Sequence, residues 1–248
     1  MTLYSALLQK LSTQRALYFM LLDPDRFSGE ELSEFTKQCV SAGVDGFLVG
    51  GSLMISGDLD SSISELKKNT TLPVIIFPGG VSQISPLADA ILFLSNVSGR
   101  NAEHLIGKHV IAAPIIKKHG LEAISTGYIL VESGRVTTAQ YISGSVPVPR
   151  HKPEIAVATA LAAEYLGMKF IYLEAGSGAD QHVPFEMVKA VSSVISVPLM
   201  VGGGIKDAVT AGKMVDAGAK IIVTGNHFEN RSNRGELQAF VDAVKGRI

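Results

Sequence analysis

The chain has 248 residues, a formal net charge of -1, 46% hydrophobic residues and 18% charged residues. That much hydrophobicity with so little net charge excludes a disordered chain, and near-neutrality removes the electrostatic footing for general nucleic-acid binding. No apolar run approaches the ~20 residues of a membrane span. No basic stretch followed by an apolar core opens the chain, so no secretory signal is read there. The lone Cys39 can form no internal disulfide, which fits a reducing cytoplasm or is simply neutral on compartment.

The length suits a (β/α)8 barrel, typically ~250 residues. No Pro/Ser-rich linker or charge block divides the chain, so residues 1–248 are read as one domain. Eight short apolar runs recur in order: Leu17–Leu22, Gly46–Val49, Val74–Phe77, Ala90–Leu94, Tyr128–Val131, Phe170–Leu173, Leu199–Val201 and Ile221–Val223. Most are continuously apolar, the pattern of parallel strands covered on both faces. Helical segments lie between them. Ser28–Ala42 has a serine start, an early glutamate pair and a Gly43 stop; Pro153–Leu166 starts on a proline; Lys206–Ala217 ends at Gly218; Glu236–Val244 lies near the chain's end. Strands alternating with helices give a parallel sheet, and eight of them favour a closed TIM-type α/β barrel over an open one. Asn96–Ser125 holds more helix than one unit needs, and the polar loop Glu132–Lys152 is long enough for a lid.

Barrel active sites form on the loops that follow the strands. Glycine concentrates there: Gly50-Gly51-Ser52, Pro78-Gly79-Gly80, Gly176-Ser177-Gly178, Gly202-Gly203-Gly204 and Thr224-Gly225-Asn226. Glycine turns after the last two strands, each leading towards a helix, suit a phosphate held by backbone N–H groups and a helix dipole. They also suit plain tight turns. Glu174 ends the sixth strand and can take a proton from a substrate hydroxyl, or pair with a barrel cation. Asp23 ends the first strand; with the Ser52 hydroxyl it suits a Mg2+ ion that keeps several waters, while Asp23-Pro24-Asp25 alone equally fits an Asx turn. His104, His109, His119, His151, His182 and His227 are scattered and read as surface residues. Lys169 lies at the wrong end of its strand for Schiff-base chemistry. No dinucleotide or P-loop motif follows a strand.

Tyr172-Leu173-Glu174-Ala175-Gly176-Ser177-Gly178-Ala179 resembles the sixth-strand motif of geranylgeranylglyceryl phosphate synthases. Leu22-Asp23-Pro24-Asp25, Gly50-Gly51-Ser52, Phe77-Pro78-Gly79, Ala88–Ser95, Arg150–Ile155, Val201–Ile205 and Thr224-Gly225-Asn226 match the same family in order. The resemblance implies a TIM-barrel prenyltransferase that joins sn-glycerol 1-phosphate to a long prenyl diphosphate with Mg2+, giving an ether lipid precursor. It implies Asp23 and Ser52 as metal residues and Glu174 as the base on the 3-hydroxyl. It further implies Tyr172, Leu173, Glu174, Ala175, Gly176, Ser177, Gly178, Gly203, Gly204, Gly225 and Asn226 as the glycerol 1-phosphate site, and assembly as homo-oligomers, dimers or hexamers. The form of the motif resembles the larger branch of the family rather than the heptaprenyl branch. Asn96–Asn101 and the loop Glu132–Lys152 depart from the family pattern. Other classes stay open on this reading: a sugar-phosphate isomerase, an FMN oxidoreductase, or a non-catalytic phosphate binder on the same scaffold.

Overall fold

The computed structural model describes residues 1–247. Eight parallel strands close into a barrel: β1 Leu17–Leu22, β2 Gly46–Val49, β3 Val74–Ile76, β4 Ala90–Asn96, β5 Glu122–Leu130, β6 Phe170–Glu174, β7 Leu199–Gly202 and β8 Ile221–Thr224. Closure is made by β1 on β8, with Leu17 opposite Ile221 and Met20 opposite Thr224. The helices are α1 Leu3–Thr13, α2 Gly29–Ala42, α3 Leu59–Asn69, α4 Lys108–His119, α5 Thr138–Ser143, α6 Pro153–Tyr165, α7 Phe185–Ser192, α8 Ala208–Asp216, α9 Asn226–Glu229 and α10 Leu237–Lys245.

Side chains alternate across each strand and so build two apolar shells. Leu17, Phe19, Leu48, Ile75, Leu92, Ile124, Phe170, Tyr172, Met200 and Val223 fill the lumen. Tyr18, Met20, Phe47, Ile76, Ile171, Leu173, Val201 and Ile222 face the helices. The lumen is therefore a packed core, and only its upper rim is open to chemistry.

Four features depart from expectation. β5 begins at Glu122, six residues before the apolar run that marked it; Glu122, Ser125 and Thr126 are polar because they lie at the lower end of the strand. Glu122 there accepts from the backbone N–H groups of Leu3 (2.5 Å) and Tyr4 (3.1 Å), capping α1. Val131, read as strand, makes only an isolated bridge to Val148. α1 itself, unforeseen, lays Leu3, Leu7 and Leu11 under the lumen and plugs the barrel floor. Finally, residues 77–89 contain no helix, so the outer layer is missing between β3 and β4.

The surplus helix in Asn96–Ser125 is a π-turn, Glu103–Gly107, running into α4. The long loop after β5 carries α5. Asn96 Nδ2 donates to Ser145 Oγ (2.8 Å) and Asn101 Nδ2 to the Ser143 carbonyl (2.9 Å), tying that loop to the end of β4.

Candidate active site

Strand alternation decides which residues reach the rim. On β1 the inward series Leu17, Phe19, Leu21 continues to Asp23; on β6 Phe170 and Tyr172 continue to Glu174. Both carboxylates line one cavity of about 790 Å³ at the upper end of the barrel. Ser52, Gly176, Ser177, Gly178, Gly203, Gly204, Gly225 and Asn226 line it too. Leu173 and Ala175 do not: alternation turns their side chains into the helix-facing layer.

Glu174 is buried, at 5% exposure. Its Oε1 accepts from the Gly176 N–H at 2.6 Å. It has no salt bridge among the described residues, so the cation-paired alternative does not hold. Burial pushes its carboxyl up to about 7, against the opposing pull of the Gly176 amide and the nearby Tyr172 hydroxyl. The Tyr172 hydroxyl is itself buried against that carboxylate and finds no other hydrogen-bond partner among the described residues. A buried polar atom with bonding capacity to spare beneath a cavity is a place for a ligand group to bond. The Tyr172 ring stacks on Phe77 (5.4 Å) and meets Tyr128 edge-on (5.7 Å), forming an aromatic floor.

Gly176 and Gly203 have positive φ, +101° and +79°, where a side chain is strained. A Cβ on Gly176 would run into Thr137, and one on Gly203 into the Glu174 carboxylate. Ser177 Oγ donates to Asn226 Oδ1, joining the loops after β6 and β8. The expectation of a free helix dipole after β7 is corrected. α8 starts two residues later than read, and Asp207 caps it by accepting from the Thr210 N–H at 2.7 Å. That N-terminus already has its anion.

At the opposite rim, Asp23 Oδ1 accepts from the Asp25 N–H at 3.0 Å. The Asx turn is thus present, and the carboxylate still lines the cavity. Burial, with the Asp25 charge adding and the Arg26 charge opposing, holds the Asp23 carboxyl above its ordinary range. Asp25 has a different task. Its carboxylate accepts from the backbone N–H groups of Ile55 (2.8 Å), Ser56 (2.8 Å) and Gly57, which holds it below the usual range and fixes the loop that carries Ser52.

Several residues in or behind the cavity wall escaped the sequence reading. Gln83, 3% exposed, accepts from Gly51 N–H (3.3 Å) and Gly79 N–H (3.2 Å) and donates to the Gly51 carbonyl (2.8 Å), stapling the loops after β2 and β3. Its only sequence signal is its place just after a Pro-Gly-Gly turn. His109, expected at the surface, is buried beside Phe93 and bonds Ser95 Oγ at 3.2 Å; His104, His182 and His227 are half-buried, leaving His119 and His151 exposed. An apolar trough runs from the aromatic floor past Ile84, Phe93, His109, Ala112 and Ile116 to Ile142 of α5.

A closed parallel barrel with buried and half-buried carboxylates around one mixed polar and apolar cavity, over the C-terminal ends of its strands, defines a (β/α)8-barrel enzyme. The chain belongs to the PcrB family, which it matches over residues 9–244. It is 43% identical to the geranylgeranylglyceryl phosphate synthase of Chitinophaga pinensis over 242 residues, 98% of this chain and 95% of that one. It is 44% identical to the synthase of the same name from Pyrococcus horikoshii over 236 residues, 95% of this chain and 92% of that one. Among solved structures, the (S)-3-O-geranylgeranylglyceryl phosphate synthase of Thermoplasma acidophilum in complex with its substrate sn-glycerol-1-phosphate superimposes with a TM-score of 0.92. That protein is 35% identical, and 99% of each chain is covered. A tryptophan synthase alpha subunit from Legionella pneumophila, 15% identical with a TM-score of 0.61, shares the fold alone.

Proposed function

We propose that this enzyme transfers a long prenyl group from its diphosphate to the 3-hydroxyl of sn-glycerol 1-phosphate, giving a prenylglyceryl phosphate and diphosphate. Geranylgeranyl is the favoured donor, from the names of the relatives. One observation carries the reading: a single cavity joins the glycine-lined loops after β6, β7 and β8, the Asp23–Ser52 corner, and an apolar trough. Those are the three surroundings that a small phosphate ester, a diphosphate and a hydrocarbon tail require.

In this reading the phosphate of the glycerol ester sits on the backbone of Ser177, Gly178, Gly203, Gly204, Gly225 and Asn226. Glu174 then lies beside the glycerol hydroxyls, where its unprotonated carboxylate takes the 3-hydroxyl proton as the ether bond forms. The allylic C–O bond to diphosphate breaks, and the glycerol oxygen captures the carbon. The tail follows the trough from Tyr128 past Phe93 to Ile116. Asp23 and Ser52 offer two hard oxygen donors, and no group of three His, Cys, Asp or Glu able to hold a metal occurs among the described residues. Hard oxygen donors at the cavity wall suit Mg2+, which keeps waters and shares substrate phosphates. When bound there it would neutralise charge on the departing diphosphate.

The test is incubation with labelled sn-glycerol 1-phosphate, Mg2+ and prenyl diphosphates of graded length, followed by identification of the extracted product. Label in a prenyl ether is the expected result; no organic-phase label with any donor would refute the assignment. Cytoplasmic location and assembly as dimers or hexamers belong to the same proposal. Sedimentation tests the assembly. No described helix is long and apolar enough to cross a membrane.

A further inference from the structure

One carboxylate at the mouth has no part in the reaction above. Glu229 ends the four-residue α9, is half-buried and lines the cavity. Its Oε2 accepts from Asn226 Nδ2 at 3.0 Å. Asn226 Oδ1 in turn accepts from Ser177 Oγ. An ionised carboxylate can only accept, so it dictates which way the Asn226 amide faces. A flipped amide would set its oxygen against Glu229 and its NH2 against the serine.

The side chains of Ser177 and Asn226 are exposed, so the bonds between them contribute little to folding. What the chain of bonds does fix is geometry: the loop after β6 and the loop after β8 are held in one arrangement, and Asn226 Nδ2 keeps a second hydrogen for a ligand. Burial raises the Glu229 carboxyl, while the Arg26 charge and the hydrogen bond from Asn226 pull it down.

We propose that Glu229 is a positioning residue for the phosphate site: it locks the Asn226 amide so that the two loops are assembled before the ligand arrives. This rests on the phosphate reading of the loops after β6, β7 and β8. The test is a calorimetric titration of sn-glycerol 1-phosphate alone, without divalent cation or prenyl diphosphate. Five proteins are compared: wild type, Glu229→Ala, Glu229→Gln, Asn226→Ala and the Glu229→Ala/Asn226→Ala double variant. The Ala variant is expected to weaken binding about tenfold, the worth of one hydrogen bond. The Gln variant, whose carbonyl oxygen can still accept from Asn226, should stay within about twofold of wild type. Removing Glu229 from the Asn226→Ala background should weaken nothing further, since the two act in series.

Thermal midpoints separate positioning from folding, and Glu229→Met, which keeps the volume without an acceptor, replaces an Ala variant that does not fold. Wild-type-like binding by Ala or Met overturns the role, as does a Gln variant as weak as Ala or strict additivity in the double variant. A wild type that fails to bind sn-glycerol 1-phosphate would instead overturn the phosphate reading.

Discussion

The carboxylate of Glu174 lies so close to the backbone of Gly203 that a β-carbon on that glycine would overlap Oε1. The phosphate-side loop and the proposed base are therefore one packing unit. Gly203→Ala should do two things. It adds strain at φ +79° and pushes Glu174 from its place. The expected outcome is a raised KM for glycerol 1-phosphate together with a fall in kcat, with the prenyl diphosphate KM little changed. Steady-state kinetics in each substrate checks this; an unchanged kcat would mean Glu174 had not moved.

Glu174→Gln keeps size and loses the base. General-base assistance is worth ~10²–10⁴ in rate, so kcat should fall by that range while glycerol 1-phosphate still binds. Because the carboxyl titrates at about 7 and acts without its proton, the wild-type rate should rise with pH through that region. The Gln variant should lose that rising limb. A positioning role alone predicts weakened binding and full single-turnover chemistry.

The same burial sets a stability difference. The folded pKa of about 7 lies above the ordinary 4.5, so the folded state holds the proton more tightly than the unfolded chain does. Stability therefore falls as pH rises from near 4.5 to near 7 and is flat above. The cost at pH 8 is on the order of 3 kcal/mol. Glu174→Gln should gain on wild type across that window, read as the difference in denaturation free energy at pH 5 and pH 8. A difference independent of pH would contradict the buried, ionising carboxylate.

Asp23 and Asp25 are two residues apart and should fail differently. Asp23→Asn is expected to abolish most turnover at limiting Mg2+ with amide exchange unchanged, since an amide is a poor Mg2+ ligand. Asp25→Ala should speed hydrogen exchange at Ile55, Ser56 and Gly57, whose N–H groups lose their acceptor. Exchange mass spectrometry of the 51–57 segment distinguishes the two.

Sequence pattern carried the barrel because apolar runs such as Phe170–Leu173 are buried on both faces and read as strands without any neighbour. It carried the places of Asp23 and Glu174 because each stands directly at the end of such a run. It lost the start of β5, where Glu122 and Thr126 answer to α1 and to their own backbone rather than to a hydrophobic face. It passed over α1, although Leu3, Leu7 and Leu11 recur every fourth residue behind a Thr2 cap. Gln83, Glu229 and His109 were illegible on principle. Gln83 and His109 act through partners on another loop or strand, a meeting no local spacing encodes; Glu229 meets Asn226 within α9, but that the pair lies at the mouth shows only once the barrel has closed.

Beneath the barrel, buried Asp45 accepts from the Tyr18 N–H at 2.8 Å and pairs with Lys10 of α1 at 2.5 Å and Lys245 of α10 at 3.3 Å. Its two cations stand 235 residues apart in the chain. During synthesis the carboxylate must wait, half-neutralised, until the long stretch from Asp45 to Lys245 has been made. Only then do Phe240, Val241 and Val244 arrive with Lys245 to cover the apolar seam where β1 meets β8. A nascent chain stalled before α10 would carry an unsealed barrel, sticky at its last seam, and would be prey to chaperones and proteases.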